Sequence, residues 1–333
     1  MLMKRFFLLI LCAMLVVLPA CGGNAPADDP ILNGSDGPLS EEVTEAPTEA
    51  PTEAPTEEAT EAPVEEISYT AEVVTYTMWD ETPGGGSPVL EYYKAANKTS
   101  DATVVIFPGG GYEVRSVYEG KDYAEYFNSI GMDAFVCQYR VKPYYFPLPL
   151  LDARRAVRYV RANSEEFGID PEKVAVMGSS AGGHLAALVS TYYEPIDFEN
   201  IDEIDLVDAI PNATILCYPV IHEPDEMNIS HLGSYKALFG KERNDYATLA
   251  PDRLVSDKTP QAFIWHTSDD STVSVINSYL YATALAQHHI EHEIHVFPEG
   301  GHGLGLATEK NAHVAQWAGL MKNWLVEIEW LAE

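Results

Sequence analysis

Basic residues and cysteines are scarce in this chain, and each shortage narrows what it can be. The sequence has 20 Lys and Arg against 51 Asp and Glu, a formal net charge of −31 at pH 7. Nucleic-acid phosphates demand clustered Lys and Arg, so a nucleic-acid partner is excluded. The 4 cysteines show no paired spacing of the kind that holds a metal. Cys137 and Cys217 each lie in an apolar, strand-like run, and two buried free thiols are expected there rather than a disulfide. No Lys-Ser or Lys-Thr follows the glycines Gly109-Gly110-Gly111, so they do not form a nucleotide-binding P-loop. No metal or organic cofactor is expected. Long apolar runs are also missing: the one from Phe6 to Leu18 falls short of the roughly 20 residues a bilayer span needs.

What that run does fit is an export signal. Lys4 and Arg5 precede it and small residues close it, the layout of a secretory signal peptide over residues 1–20. Leu18-Pro19-Ala20-Cys21 resembles the lipobox of bacterial lipoproteins. That resemblance implies export and a lipid anchor on Cys21, holding the protein on the outer face of a bacterial cell membrane. Residues 21–66 then change character, with Thr-Glu-Ala-Pro copies at Thr44, Thr48 and Thr52 and no Lys or Arg after Cys21. Such a segment cannot bury enough surface to offset its ordering entropy, and like charges and prolines extend it. A disordered acidic spacer is expected. Residues 67–333 have the length of one large α/β domain.

Within that domain short apolar runs alternate with helical patterns. Strands are expected at Ala71–Thr77, Val89–Lys94, Thr103–Phe107, Ala134–Cys137, Lys173–Met177, Thr214–Cys217, Ala262–Trp265 and Glu293–Phe297. Helices are expected at Tyr118–Ile130, Leu150–Asn163 (with an arginine-rich outer face), Gly183–Thr191, Ile276–His288 and Ala312–Trp330. This alternation predicts a mostly parallel sheet of about eight strands, covered by helices on both faces. Ligands on such sheets sit beyond the carboxyl ends of the strands.

Four segments with chemical potential fall at those ends. Gly178-Ser179-Ser180-Ala181-Gly182 follows a strand and opens a small-residue helix, the setting a nucleophile elbow requires, with Ser180 in register as nucleophile. Pro108-Gly109-Gly110-Gly111-Tyr112 follows a buried strand. Its glycines let backbone N–H groups approach an oxyanion, and Gly110 and Gly111 with Ala181 are the candidate donors. Asp269-Asp270 and Gly300-Gly301-His302-Gly303 each stand just past a further strand. A serine hydroxyl needs an imidazole to take its proton and a carboxylate to orient that imidazole. The order Ser180, Asp270, His302 is the one this scaffold uses.

These motifs together resemble the α/β-hydrolase superfamily over about Val73–Trp330, and within it the carbohydrate-esterase, acetyl-xylan-esterase-like branch. The resemblance implies a serine carboxylesterase acting on acetyl esters of plant polysaccharide or oligosaccharide, and it favours Asp270 over Asp269 as the acid. Pro108 replaces a His of the lipase-like relatives, and Ser274 a Pro, which bears on how firmly the Asp270 loop is held. A peptidase or amidase of the same fold would use the same residues, and a binding lipoprotein without catalysis is the reading from another class.

Other residues carry plainer expectations. His184 is read as a structural histidine, and His288, His289, His292 and His295 as diverging across a helix–strand junction rather than holding a metal. Asp152 is read as a helix-start carboxylate or ion-pair partner. The aromatics of Pro143–Pro147 suit core packing or sugar stacking. Tyr192–Asp208 and His222–Asp257 are the candidates for a partial cap.

Overall fold

The computed structural model describes residues 73–199, 201–224, 229–240 and 244–332. The expected leader, the Cys21 anchor, the spacer and residues 67–72 lie outside them. No described helix is long and apolar enough to cross a membrane.

Eight strands form one sheet: β1 (Val73–Thr77), β2 (Val89–Tyr93), β3 (Thr103–Phe107), β4 (Asp133–Gln138), β5 (Val174–Ser179), β6 (Ala213–Cys217), β7 (Gln261–Thr267) and β8 (His292–Phe297). Their order is β1-β2-β4-β3-β5-β6-β7-β8. β2 pairs antiparallel with β1 and with β4, and every pairing from β4 onward is parallel. This is the α/β-hydrolase architecture. Gly84, Gly85 and Gly86, all at positive φ, lie between β1 and β2 as expected.

The helices are α1 (Tyr118–Ser129), α2 (Leu148–Ala162), α3 (Ser164–Phe167), α4 (Ala181–Thr191), α5 (Leu232–Phe239), α6 (Pro251–Leu254), α7 (Ile276–Gln287) and α8 (Gln316–Glu327). The central strands read as unbroken apolar runs because both their faces are covered. On β3, Val105 and Phe107 join a core with α2, α4, α5 and α7, whereas Val104 and Ile106 join a second core with α1 and α8. Cys137 and Cys217 are buried and unpaired.

This topology positions the site. β3 lies between β4 and β5, so the sheet grows in opposite directions on its two sides. Such a switch point leaves a crevice at the strand ends. Phe107 registers beside Gly178, which brings the glycine loop against the serine turn. Thr267 registers beside Phe297, so the Asp270 and His302 loops also leave the sheet side by side.

Three expectations need correction. The arginines of α2 are not an outer face: Arg154 and Arg155 are buried. Arg155 pairs with Asp202 at 2.5 Å and Asp205 at 3.1 Å and lies over the Trp79 ring, because the acidic segment after α4 wraps this helix. That segment therefore caps α2 and not the site. It departs from the far end of α4, an 11-residue helix whose first turn adjoins Ser180, roughly 16 Å away at the α-helical rise. The last helix begins at Gln316 rather than Ala312, since the Asn311 carboxamide accepts from the His313 and Val314 N–H groups and holds that stretch in turns.

Candidate active site

β5 ends at Ser179 and α4 begins at Ala181, which leaves Ser180 alone in the turn at φ 54° and ψ −119°. A non-glycine residue held there stores about 1–3 kcal/mol of strain. Its surroundings fix it: the Ser180 N–H donates to Cys217 O, and Ser180 O accepts from the His184 and Val220 N–H groups, each at 3.0 Å. The flanking glycines are obligatory. A Cβ on Gly178 would lie 2.1 Å from Gly182 O, and one on Gly182 would lie 2.0 Å from Phe107 O. The positive end of the α4 dipole lies beneath the hydroxyl.

His302 Nε2 stands 2.8 Å from Ser180 Oγ, and His302 Nδ1 stands 2.6 Å from Asp270 Oδ2. A carboxylate only accepts, so Nδ1 carries the hydrogen and Nε2 is free to take the serine proton. Asp270 receives two more N–H groups on Oδ1, from Thr272 at 2.8 Å and Val273 at 2.9 Å. His266 Nε2 faces both Asp270 Oδ2, at 3.2 Å, and Val273 O, at 2.9 Å, so it too is a donor. Burial pushes the Asp270 carboxyl up, but His266, His302 and the Val273 N–H outweigh it and hold the group well below the usual carboxylate range.

Asp269 faces elsewhere. It accepts from the Gly300 and Gly301 N–H groups at 2.9 Å, and these hold its carboxyl below its ordinary value. It thus fastens the backbone of the His302 loop, which Thr267 Oγ1 also grips at Gly301 O over 2.7 Å. The Asp270 loop stays closed despite Ser274, whose carbonyl accepts from the Asn277 backbone at 3.0 Å and side chain at 2.9 Å.

The glycine loop after β3 is pinned through three of its carbonyls. Pro108 O accepts from the Tyr139 hydroxyl, Gly109 O from the Ser116 N–H, and Gly110 O from the Glu113 and Val114 N–H groups. The N–H groups of Gly110, Gly111 and Ala181 have no hydrogen-bond partner among the described residues. Both glycines adopt positive φ, and a Cβ on Gly110 would meet Val114 O at 2.4 Å. The arrangement offers an acceptor for a proton, an oxygen nucleophile and free N–H donors on the nucleophile turn and on the glycine loop packed against it. That set can carry out acyl transfer.

Sequence reasoning missed four contributors: His266, Glu119, Tyr218 and His231. The Tyr218 ring meets His302 edge-on, with centroids 4.9 Å apart. His231, at the start of α5, hydrogen-bonds Ser234 Oγ at 2.8 Å, and Ser234 Oγ lies 4.0 Å from where a Gly111 Cβ would stand. Burial and the nearby His302 lower the His231 imidazole. The His222–Asp257 segment therefore approaches the site, as expected of a partial cap. Tyr218 meets Glu119 and His302 only through long-range packing, whereas His266 and His231 bond to near neighbours in turns that carry no recognised motif.

His184 Nε2 donates to Leu249 O at 2.8 Å and Nδ1 accepts from the Tyr112 hydroxyl at 2.8 Å, a fully buried structural role; burial pulls it down to about 4. Asp152 is an ion-pair partner, gripping Arg140 at 2.7 Å and its backbone N–H at 2.8 Å. His288 pairs with Asp257 while His295 pairs with Glu293, so the histidine run diverges. Phe146 stacks on Phe239 in the core, whereas Tyr145 is exposed. His222, Glu223 and Asp252 place ligand-type atoms within 4.8 Å of one another, but Arg253 already pairs with Glu223 there.

The fold and site define an α/β-hydrolase with a serine–histidine–aspartate chain at the carboxyl edge of the sheet. The chain belongs to the BD-FAE family, whose model matches residues 90–285. It is 35% identical over 247 residues to the endo-1,4-beta-xylanase B of Butyrivibrio fibrisolvens, covering 72% of this chain and 38% of that protein. It is 32% identical over 238 residues to the acetylxylan esterase of Xylanibacter ruminicola, covering 69% of this chain and 46% of that protein. The chain thus spans less than half the length of these two relatives. Among solved structures it resembles the acetyl ester-xyloside bifunctional hydrolase of Caldicellulosiruptor lactoaceticus, with TM-score 0.72 and 40% identity over 80% of this chain and 100% of that one. It also resembles the carboxylesterase Cest-2923 of Lactobacillus plantarum, with TM-score 0.66 and 25% identity over 79% and 99%.

Proposed function

We propose that the chain is a serine carboxylesterase that removes acetyl groups from xylan-type polysaccharide or its oligosaccharides. The observation that carries this reading is the continuous hydrogen-bonded line Ser180–His302–Asp270, at 2.8 and 2.6 Å, beside free N–H groups of the glycine loop. His302 Nε2 takes the Ser180 proton as Oγ attacks the ester carbonyl carbon. The carbonyl oxygen becomes an oxyanion held by the Gly110, Gly111 and Ala181 N–H groups. Collapse expels the sugar alkoxide, which leaves with the proton from His302, and an acetyl–Ser180 ester remains. Water, deprotonated by His302, then releases acetate and restores the serine. Asp270 keeps the imidazole in the required tautomer and offsets its positive charge.

Support for the substrate comes from relatives named for acetylxylan and acetyl ester-xyloside hydrolysis. The reading includes export and a lipid anchor at Cys21, supported by the Phe6–Leu18 run and the Leu18–Cys21 stretch. Acetate release from acetylated xylo-oligosaccharides, set against hydrolysis of an acyl p-nitroanilide, tests it. Turnover of the acetylated sugar at least about 10²-fold faster is expected, since selection acts on kcat/KM ratios. A preference for the anilide would make the chain an amidase.

A further inference from the structure

We propose that Glu119 is a positioning residue of this site, joining the glycine loop to the His302 loop through one buried carboxylate. The inference rests on the esterase reading above. Glu119 is the second residue of α1 and is 2% exposed. Its Oε2 accepts the Gly109 N–H at 3.0 Å, and its Oε1 accepts the Tyr218 hydroxyl at 2.6 Å. Tyr218 Oη in turn accepts the Gly305 N–H at 3.0 Å, while its ring lies against His302. Loops leaving β3, β6 and β8 are thereby tied to a single group.

The packing at Gly109 shows how close this group comes to the chemistry. A Cβ there would lie 2.5 Å from Glu119 Oε2 and 3.3 Å from Ser180 Cβ. Gly109 immediately precedes the two glycines whose N–H groups are the oxyanion donors. Such donors act only if they are fixed before charge develops, because reorganisation during the reaction cancels their benefit. The Glu119 bond to Gly109 supplies that fixity from below, as Tyr139 does at Pro108.

Stability alone does not account for the residue. Among the described residues no Lys or Arg forms an ion pair with Glu119. A buried carboxylate without a cation is costly, and an apolar side chain would fill the space without that penalty. Burial pushes its carboxyl up, and Tyr218, Ser116, His302 and Gly109 draw it back. All its hydrogen-bond partners are donors, which suits the ionised form.

Steady-state hydrolysis of p-nitrophenyl acetate by the full chain tests this, with E119A, E119Q, Y218F and S180A beside the wild type. E119A is expected to lose on the order of 10²-fold in kcat with KM within about threefold, the signature of a transition-state interaction. E119Q keeps a carbonyl oxygen for Gly109 and is expected to regain at least about tenfold. Y218F loses about tenfold, since it removes only one of the two links. A folded E119A with wild-type kcat, a loss confined to KM, or E119Q no better than E119A overturns the proposal. Where E119A does not fold, a Y218F enzyme at full kcat overturns it. S180A separates the two claims: if S180A keeps its turnover, the esterase reading itself fails, whatever the Glu119 variants do.

Discussion

Asp269 and Asp270 are adjacent in sequence, yet their carboxylates serve different loops. Asp270 collects donors from His302, His266, Thr272 and Val273, while Asp269 reaches the Gly300 and Gly301 backbone. Asp270→Asn presents an amide where the imidazole needs an acceptor, and kcat should fall about 10³–10⁴-fold with little change in KM. Asp269→Asn keeps an oxygen for the loop and should cost less than about tenfold. Parallel kinetics on the two variants checks the difference. The sequence could favour one aspartate only by resemblance, because both stand at the same strand end. Ser180 and His302 were legible because short glycine-flanked motifs encode their turns. Glu119 and Tyr218 were not, since they meet each other and the His302 loop only through long-range packing, and His266 and His231 were not, since their short-range bonds belong to no recognised motif.

At the scale of elements, the elbow is the least tolerant part. Gly182→Ala would drive a Cβ to 2.0 Å from the Phe107 carbonyl, backbone against backbone, where no side chain can yield. A loss of about 3 kcal/mol or more is expected, read from the urea midpoint. Helix α2 gives the opposite contrast. Arg155→Ala removes the nearer cation from buried Asp205, leaving only Arg158 at 3.8 Å, and should destabilise by about 3 kcal/mol. Its folded fraction should keep wild-type kcat, because Arg155 bonds Met78 O, Asp202 and Asp205 and no residue of the serine site. Amphipathic reading failed on α2 for the same reason: the apparent outer face is covered by the acidic stretch that follows α4, some 47 residues on. Strand identities were readable from apolar runs, but the order of the strands and the switch at β3 were not, since pairing is set by long-range packing.

At the scale of the whole molecule, His184 couples the elbow helix to the glycine loop through Tyr112 and to the cap segment through Leu249. Its imidazole titrates near 6.5 when unfolded and is pulled down to about 4 when folded. Between those values the unfolded chain holds the extra proton, so stability rises with pH and is lost as pH falls from about 6.5 to 4. The loss amounts to about 3 kcal/mol across that window. Urea denaturation at pH 7 and pH 5 should show a steeper fall for wild type than for His184→Gln.

If Ser180 is the nucleophile, p-nitrophenyl acetate hydrolysis must separate the full chain from its Ser180→Ala variant, both verified as folded. Loss of at least about 10³-fold in kcat is predicted, as for the removal of a nucleophile. Equal rates in the two proteins would rule out Ser180 as nucleophile and leave the site a binding surface.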